Sequence, residues 1–313
     1  MNALIFPGQG SQTVGMGLEF YENFKIVREI FARADDKLNF SISKIILEGP
    51  EDKLQLTKNT QPAILTISYS IFKVLEKEFN FKFNSSKFFA GHSLGEYSAL
   101  VCSNSLNFED ALHLLHERGK AMQEAVPVGQ GSMSAVLGLN LDELHEIIND
   151  NKIENEICEV ANNNAVGQVI ISGDKKAVEN ISKKLKELKI KTIPLKVSAP
   201  FHCSLMKPAA EKMRQKINNV QFNTPNVEII NNVNGKPTKD PSLIKNLLVE
   251  QIYSTVKWRE SLENIYQSGV NNFIEIGPGK ALTGMVKRTL KEAKTFSINK
   301  ITDIELCNNE LKK

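Results

Sequence analysis

Apolar positions in this chain recur in two alternating rhythms. Short apolar runs at Ala3-Leu4-Ile5-Phe6, Phe88-Phe89-Ala90, 227–231, 272–276 and 295–298 read as strands. Between them, apolar residues at three- and four-residue spacing read as helices. Phe20, Phe24, Val27, Phe31 and Ala34 share one stripe, and Ile64, Ile67, Ile71 and Leu75 share another, on a helix that begins near Thr60 as cap with Pro62 close behind. A third helix, capped by Asn107, runs from Phe108 through Leu112 and Leu115 to Met122, and others cover 243–253, 257–267 and 281–290. Strands alternating with helices predict an α/β fold, a mostly parallel sheet with helices on its faces.

Between residues 127 and 197 the order becomes strand (133–139), helix (142–149), strand (158–162), strand (168–172), helix (176–188) and strand (192–197). This β-α-β-β-α-β order is the ferredoxin-like split unit. The chain therefore reads as a larger domain, residues 1–126 and 198–313, interrupted by a small subdomain over 127–197. On the second helix of that insert Val178, Ile181, Leu185 and Leu188 form the apolar stripe, which leaves Lys176, Lys183, Lys184 and Lys186 outward, as a solvated face or a dock for acidic groups.

A net charge of +3 on 313 residues gives no case for nucleic acid or a membrane surface as partner. Cys102, Cys158, Cys203 and Cys307 are scattered without a C-x-x-C pair and read as reduced thiols rather than a metal cluster or a disulfide framework. No secretory pattern, no run of membrane-spanning length and no heptad repeat is visible, so the expectation is a cytoplasmic monomer.

Candidate chemistry gathers where the second apolar run ends. Ser93 stands between Gly91 and Gly95 after a strand and before a helix, the nucleophile-elbow setting, in which small neighbours let the chain bend and expose a hydroxyl. The N–H groups at the start of the next helix would point to where an acyl-transfer oxyanion forms. A serine needs a base, and His202, in a loop after the insert, titrates near neutrality. Arg118 is either a solvated arginine or a planar fork for an anion, and periodicity leaves both open. Gly8 and Gly10 bracket Gln9 in a loop able to approach a ligand closely. No carboxylate between Ser93 and His202 stands out as the group that would hold the second imidazole nitrogen.

The stretches Phe6-Pro7-Gly8-Gln9-Gly10-Ser11-Gln12, Gly91-His92-Ser93-Leu94-Gly95-Glu96-Tyr97, Pro200-Phe201-His202-Cys203 and Glu275-Ile276-Gly277-Pro278-Gly279-Lys280 resemble, in order and over nearly the whole chain, the malonyl-CoA:acyl carrier protein transacylases. The resemblance implies an α/β-hydrolase-like domain with an inserted ferredoxin-like subdomain. It also implies transfer of malonyl from coenzyme A to the phosphopantetheine thiol of acyl carrier protein for fatty acid synthesis, with malonyl-CoA as substrate, no permanently bound cofactor and no metal. Ser93 would be the nucleophile, His202 the base and acid, and Arg118 the partner of the malonyl carboxylate. The N–H groups of Gln9 and Leu94 would form the oxyanion hole, and the main-chain carbonyl of Gln251 would orient His202. Asn162, Lys191 and Lys287 match positions near the acyl group or the carrier phosphates. Bulky Phe201 reads as excluding C2-branched acyl groups such as methylmalonyl. The chain departs from the family with Asn164-Ala165-Val166-Gly167-Gln168, where Asn-Ser-Pro-Gly-Gln is common, and with Ile190 before Lys191, where a basic pair is common. A serine thioesterase would share Ser93 and His202 without needing Arg118, and a carrier-binding scaffold would need none of the three.

Overall fold

The structure, a computed structural model, describes residues 1–81, 83, 86–197 and 199–311. Asn84 and Ser85, ahead of the elbow strand, and Ser198, just after the insert, lie outside these. Strand β1 (Asn2–Phe6) is followed by helices α1 (Leu18–Asn23), α2 (Lys25–Leu38), α3 (Ile42–Leu47), α4 (Glu51–Gln55) and α5 (Thr57–Lys77). Then β2 (Ser86–Gly91) leads to α6 (Gly95–Cys102) and α7 (Phe108–Glu124). Next come β3 (Gly131–Leu137), α8 (Leu141–Asp150), β4 (Cys158–Ala165), β5 (Gln168–Asp174), α9 (Lys175–Glu187) and β6 (Lys191–Pro194). The remainder is α10 (Lys207–Asn218), β7 (Glu228–Ile230), β8 (Pro237–Thr238), α11 (Pro241–Gln251), β9 (Val256–Lys257), α12 (Trp258–Gln267), β10 (Asn272–Ile276), α13 (Ala281–Thr289), β11 (Lys294–Ile298) and α14 (Ile301–Leu311).

The larger sheet has the order β11-β10-β1-β2-β7-β8, parallel throughout except for the short β7–β8 pair. Its central strand is buried on both faces, as a strand covered by helices on either side must be. Leu4 and Phe6 of β1 point into the main core with α2, α5, α6, α7 and α10, whereas Ala3 and Ile5 join Trp258, Leu262 and Val286 of α12 and α13. The second sheet has the order β6-β3-β5-β4-β9, with antiparallel pairs among β3 to β6. One of its faces packs on α8 and α9 through Val136, Val160, Ile171, Ile181 and Leu185. On the other face Met133, Ala135, Ala161 and Ile170 join the main core. The architecture is thus an α/β-hydrolase-like layer with a ferredoxin-like unit laid over the end of its sheet. Among the described residues no helix is long and apolar enough to cross a membrane.

Several boundaries differ from the sequence reading. The first stripe spans two helices, because Phe24 is extended (φ −122°, ψ 123°) while its ring still packs on Phe20 and Phe79, so the stripe continues across the break. Thr60 does not cap α5. The helix starts at Thr57, and Thr60 Oγ1 donates back to the carbonyls of Leu54 and Leu56. Pro62 lies inside this helix and has no N–H to give the carbonyl of Lys58, which instead accepts from His116 Nδ1 at 2.8 Å. Lys257, expected at the head of a helix, instead forms β9 with Val256, and the two pair with Asn162 and Asn163 in the inserted sheet. The last insert strand stops at Pro194, short of 197, and Leu188 falls beyond the end of α9 and is exposed.

Candidate active site

Three parallel strand ends and the loops after them converge on Ser93. Strand β2 ends at Gly91, and His92 N–H donates to Phe6 O at 3.0 Å, the last rung toward β1. The chain then reverses through Ser93 at φ 53° into α6. This reversal needs glycine on either side. A Cβ on Gly95 would lie 2.2 Å from Phe6 O, and one on Gly91 would lie 1.9 Å from the carbonyl group of Gly95. Both obstacles are backbone and cannot swing aside. Gly95→Ala is therefore expected to lower stability by about 1–3 kcal/mol or more, the usual cost of overpacking. Equilibrium unfolding in urea reads the change, and an unaltered midpoint would contradict this account of the turn.

Ser93 Oγ lies 2.8 Å from His202 Nε2. On the opposite side of the ring, His202 Nδ1 is 2.8 Å from the main-chain O of Gln251, which can only accept, so Nδ1 carries the proton and Nε2 presents its lone pair to the serine. Burial and then the nearby Arg118 hold this imidazole down to about 3, so the ring is neutral across the physiological range.

Arg118 is fully buried on α7. Its Nη1 donates to Gln61 Oε1 at 2.8 Å, and its Nη2 donates to Gln251 Oε1 at 2.9 Å and to Ser93 Oγ at 3.2 Å. The guanidinium also lies over the Tyr97 ring. Its Nε has no hydrogen-bond partner among the described residues. Gly119, next in sequence, allows the close approach of α7 to α5 that brings Arg118 beside Gln61, since a Cβ there would meet Lys58 Cα at 2.5 Å.

A cavity of about 310 Å³ opens over these groups, lined by Gln9, Leu94, Asn162 and Phe201 as well as Ser93, Arg118 and His202. The loop bearing Gln9 is fixed by Gly10 N–H donating to Gln12 Oε1 and Ser11 Oγ donating to Gly8 O. Leu94 is the cap of α6, and the N–H groups that follow it, of Gly95, Glu96 and Tyr97, donate to the carbonyls of His92, Ser93 and Leu94. Lys191 and Lys287 are exposed on β6 and α13 and do not line the cavity. A larger cleft of about 570 Å³, also lined by His202, contains neither Ser93 nor Arg118.

The family model described as acyl transferase domain matches residues 3–306. A malonyl CoA-acyl carrier protein transacylase from Bacillus subtilis is 43% identical over 311 residues, which covers 99% of this chain and 97% of that one. The chain belongs to the acyl transferase family of malonyl CoA-acyl carrier protein transacylases. Among solved structures, an acyl-carrier-protein-S-malonyltransferase from Bartonella henselae matches with a TM-score of 0.96 at 42% identity, covering 100% of this chain and 99% of that chain. A type II PKS acyl-carrier protein in complex with its malonyl-transacylase matches with a TM-score of 0.95 at 38% identity, over 99% of both chains.

Against this family background, the structure adds residues to the site that the sequence reading passed over. Glu96, inside the elbow motif, is buried and accepts at Oε2 from Gln251 Nε2 (2.8 Å) and from Asn232 N–H (3.1 Å). Burial pushes its carboxyl up to about 7 against the pull of those donors and of Arg118. It is not the partner of His202. His92 Nε2 pairs with Asn164 Oδ1 at 2.8 Å and packs edge-on to Trp258, which joins the elbow to the inserted sheet. The family departure next to Asn164 falls on buried Ala165 at the end of β4 and on exposed Val166 in the β4–β5 turn.

Proposed function

We propose that this chain carries malonyl from malonyl-CoA to the phosphopantetheine thiol of acyl carrier protein through a malonyl ester on Ser93, supplying fatty acid synthesis, as a cytoplasmic monomer without a resident cofactor or metal. Residues 1–126 and 198–313 are its catalytic domain and 127–197 its subdomain, a division supported by the two sheets, with β9 of the larger part joining the smaller sheet. The observation that carries the reading is the Ser93 hydroxyl held between His202 Nε2 and Arg118 Nη2 on the wall of one cavity. The first contact provides a nucleophile, and the second provides a reason to prefer an acid-bearing acyl group.

In the first half-reaction Ser93 Oγ attacks the thioester carbonyl and His202 Nε2 takes the hydroxyl proton. The N–H groups of Gln9 and Leu94 receive the oxyanion. The C–S bond then breaks, and His202 returns the proton to the departing coenzyme A thiolate. In the second half, the carrier thiol gives its proton to His202 and attacks the ester, and Ser93 Oγ leaves and recovers that proton. A carbonyl behind the imidazole orients it less strongly than a carboxylate would, which suffices for a thioester. Asn162 and Phe201 bound the acyl end of the cavity, with Phe201 crowding a C2 branch. Lys191 and Lys287 are assigned to the carrier or coenzyme phosphates, on the strength of their charge and exposure.

Intact-mass spectrometry tests this reading. Protein mixed with malonyl-CoA gains one malonyl group, which moves to carrier protein when that is added. An adduct that decays to malonate equally fast without carrier would replace the transferase with a hydrolase.

A further inference from the structure

Strand β7 runs parallel to β2 in the register Phe88 with Glu228, Phe89 with Ile229 and Ala90 with Ile230, and then ends. The pairing continues two residues further by other means. Asn232 Nδ2 donates to Gly91 O at 2.7 Å, and Asn232 Oδ1 accepts from Ser93 N–H at 2.6 Å. Gly91 O can only accept and Ser93 N–H can only donate, which fixes the orientation of the amide. A planar side-chain amide with a donor on one side and an acceptor on the other thus replaces the peptide group that the strand no longer supplies.

The hold falls where the chain needs one. Ser93 occupies the left-handed region, which a residue with a side chain adopts at a cost and keeps only when its surroundings impose it. Asn232 is itself immobilised, with its N–H on Glu96 Oε2 and its carbonyl accepting from Lys257 N–H at 2.8 Å. Gln251 Nε2 also reaches Asn232 Oδ1, at 3.3 Å, and donates to Ser93 O at 3.1 Å. The residue whose carbonyl orients His202 is therefore tied to the amide that holds the nucleophile. Asn232 is fully buried and does not line the cavity.

We propose that Asn232 is a positioning residue for acyl transfer, its side-chain amide extending the β7–β2 ladder so that Ser93 is locked in the conformation from which Oγ meets His202, a role that rests on the acyl-transfer reading of Ser93. Because Oδ1 occupies the Ser93 N–H, that donor is withdrawn from oxyanion binding, which falls to Gln9 and Leu94.

Two variants, each followed by two assays, test the role. Sulfonylation of Ser93 by phenylmethylsulfonyl fluoride, read by intact mass, requires the nucleophile and base but no recognition of malonyl. Malonyl loading from malonyl-CoA requires all three. Asn232→Leu keeps the volume and removes both hydrogen bonds. It slows both assays by a common factor on the order of a hundredfold, with KM for malonyl-CoA little changed. Asn232→Asp restores the pattern only when protonated, since a carboxylic acid offers one O–H and one C=O as the amide offers N–H and C=O. Its rate relative to wild type therefore climbs as pH falls. Glu96, Arg118 and His202 are the ionisable groups around this position, and because the introduced carboxyl titrates together with Glu96 across Gln251, the ratio to wild type is also taken in a Glu96→Gln background, where the climb persists. An Asn232→Asp variant that tracks wild type at every pH, or a folded Asn232→Leu variant with wild-type sulfonylation, would overturn the proposal. Should the leucine variant not fold, the aspartate profile decides alone. Wild-type protein that is sulfonylated but takes up no malonyl would reject the malonyl reading, and the sulfonylation rates would still decide the role of Asn232.

Discussion

Malonylation of Ser93 falls by roughly 10²- to 10⁴-fold when His202 is replaced by alanine, the range expected when a general base is removed. The Ser93 backbone keeps its conformation, because the elbow is held by backbone pairing and by Asn232 rather than by the imidazole. What disappears is the acceptor for the hydroxyl proton, 2.8 Å away. The same geometry fixes the pH dependence. Burial and Arg118 hold His202 down to about 3, so the acid limb of kcat/KM for acylation lies well below the ordinary imidazole value of about 6.5. Glu96, raised to about 7, is the site's source of any inflection near neutrality. Stopped-flow acylation rates from pH 5 to 8 check this. An inflection near neutrality disappears in Glu96→Gln, whereas one that survives there would return the titration to His202. The sign for stability follows from the same depression. The unfolded chain protonates His202 below about 6.5 and the folded chain does not, so this contribution is complete above that pH and declines as pH falls toward 3.

Arg118→Ala should cost malonyl transfer on the order of a hundredfold or more relative to acetyl transfer, at roughly 1.5–3 kcal/mol for each charge-assisted hydrogen bond to the lost carboxylate partner. The substitution also strips partners from Gln61, Gln251 and Ser93 Oγ, so both acyl groups slow. The ratio of the two rates within the same variant isolates the carboxylate contribution. Arg118→Lys keeps the charge without the planar fork and restores only part of the ratio. Parallel loading with malonyl-CoA and acetyl-CoA gives the measurement, and equal losses for both would remove Arg118 from substrate recognition.

What the sequence disclosed and what it withheld divide along chain distance. The elbow was legible because its requirements are local: a strand, two glycines that backbone contacts make obligatory, a serine and a helix within a few residues. The alternation of strands and helices likewise exposed the inserted βαββαβ unit. The join between the two helices around Phe24 was hidden, since the aromatic stripe is uninterrupted there. Strand β9 was hidden because it has two residues, and only its pairing with β4 makes it a strand. Arg118 was legible as a candidate but not as a decision, since no periodicity tells a buried fork from a solvated one. Glu96 and Asn232 meet across 136 residues of chain, and Asn232 meets Ser93 across 139. The partner of His202 Nδ1 is a main-chain carbonyl, a group that every residue carries and that no residue type announces.

An alcohol in water turns freely about its C–O bond. The Ser93 hydroxyl has no such freedom, because its proton is directed at His202 Nε2 and its lone pair faces Arg118 Nη2. One torsion of the reaction coordinate is therefore chosen when the chain folds, and acylation begins without the orientational search that a free hydroxyl would need.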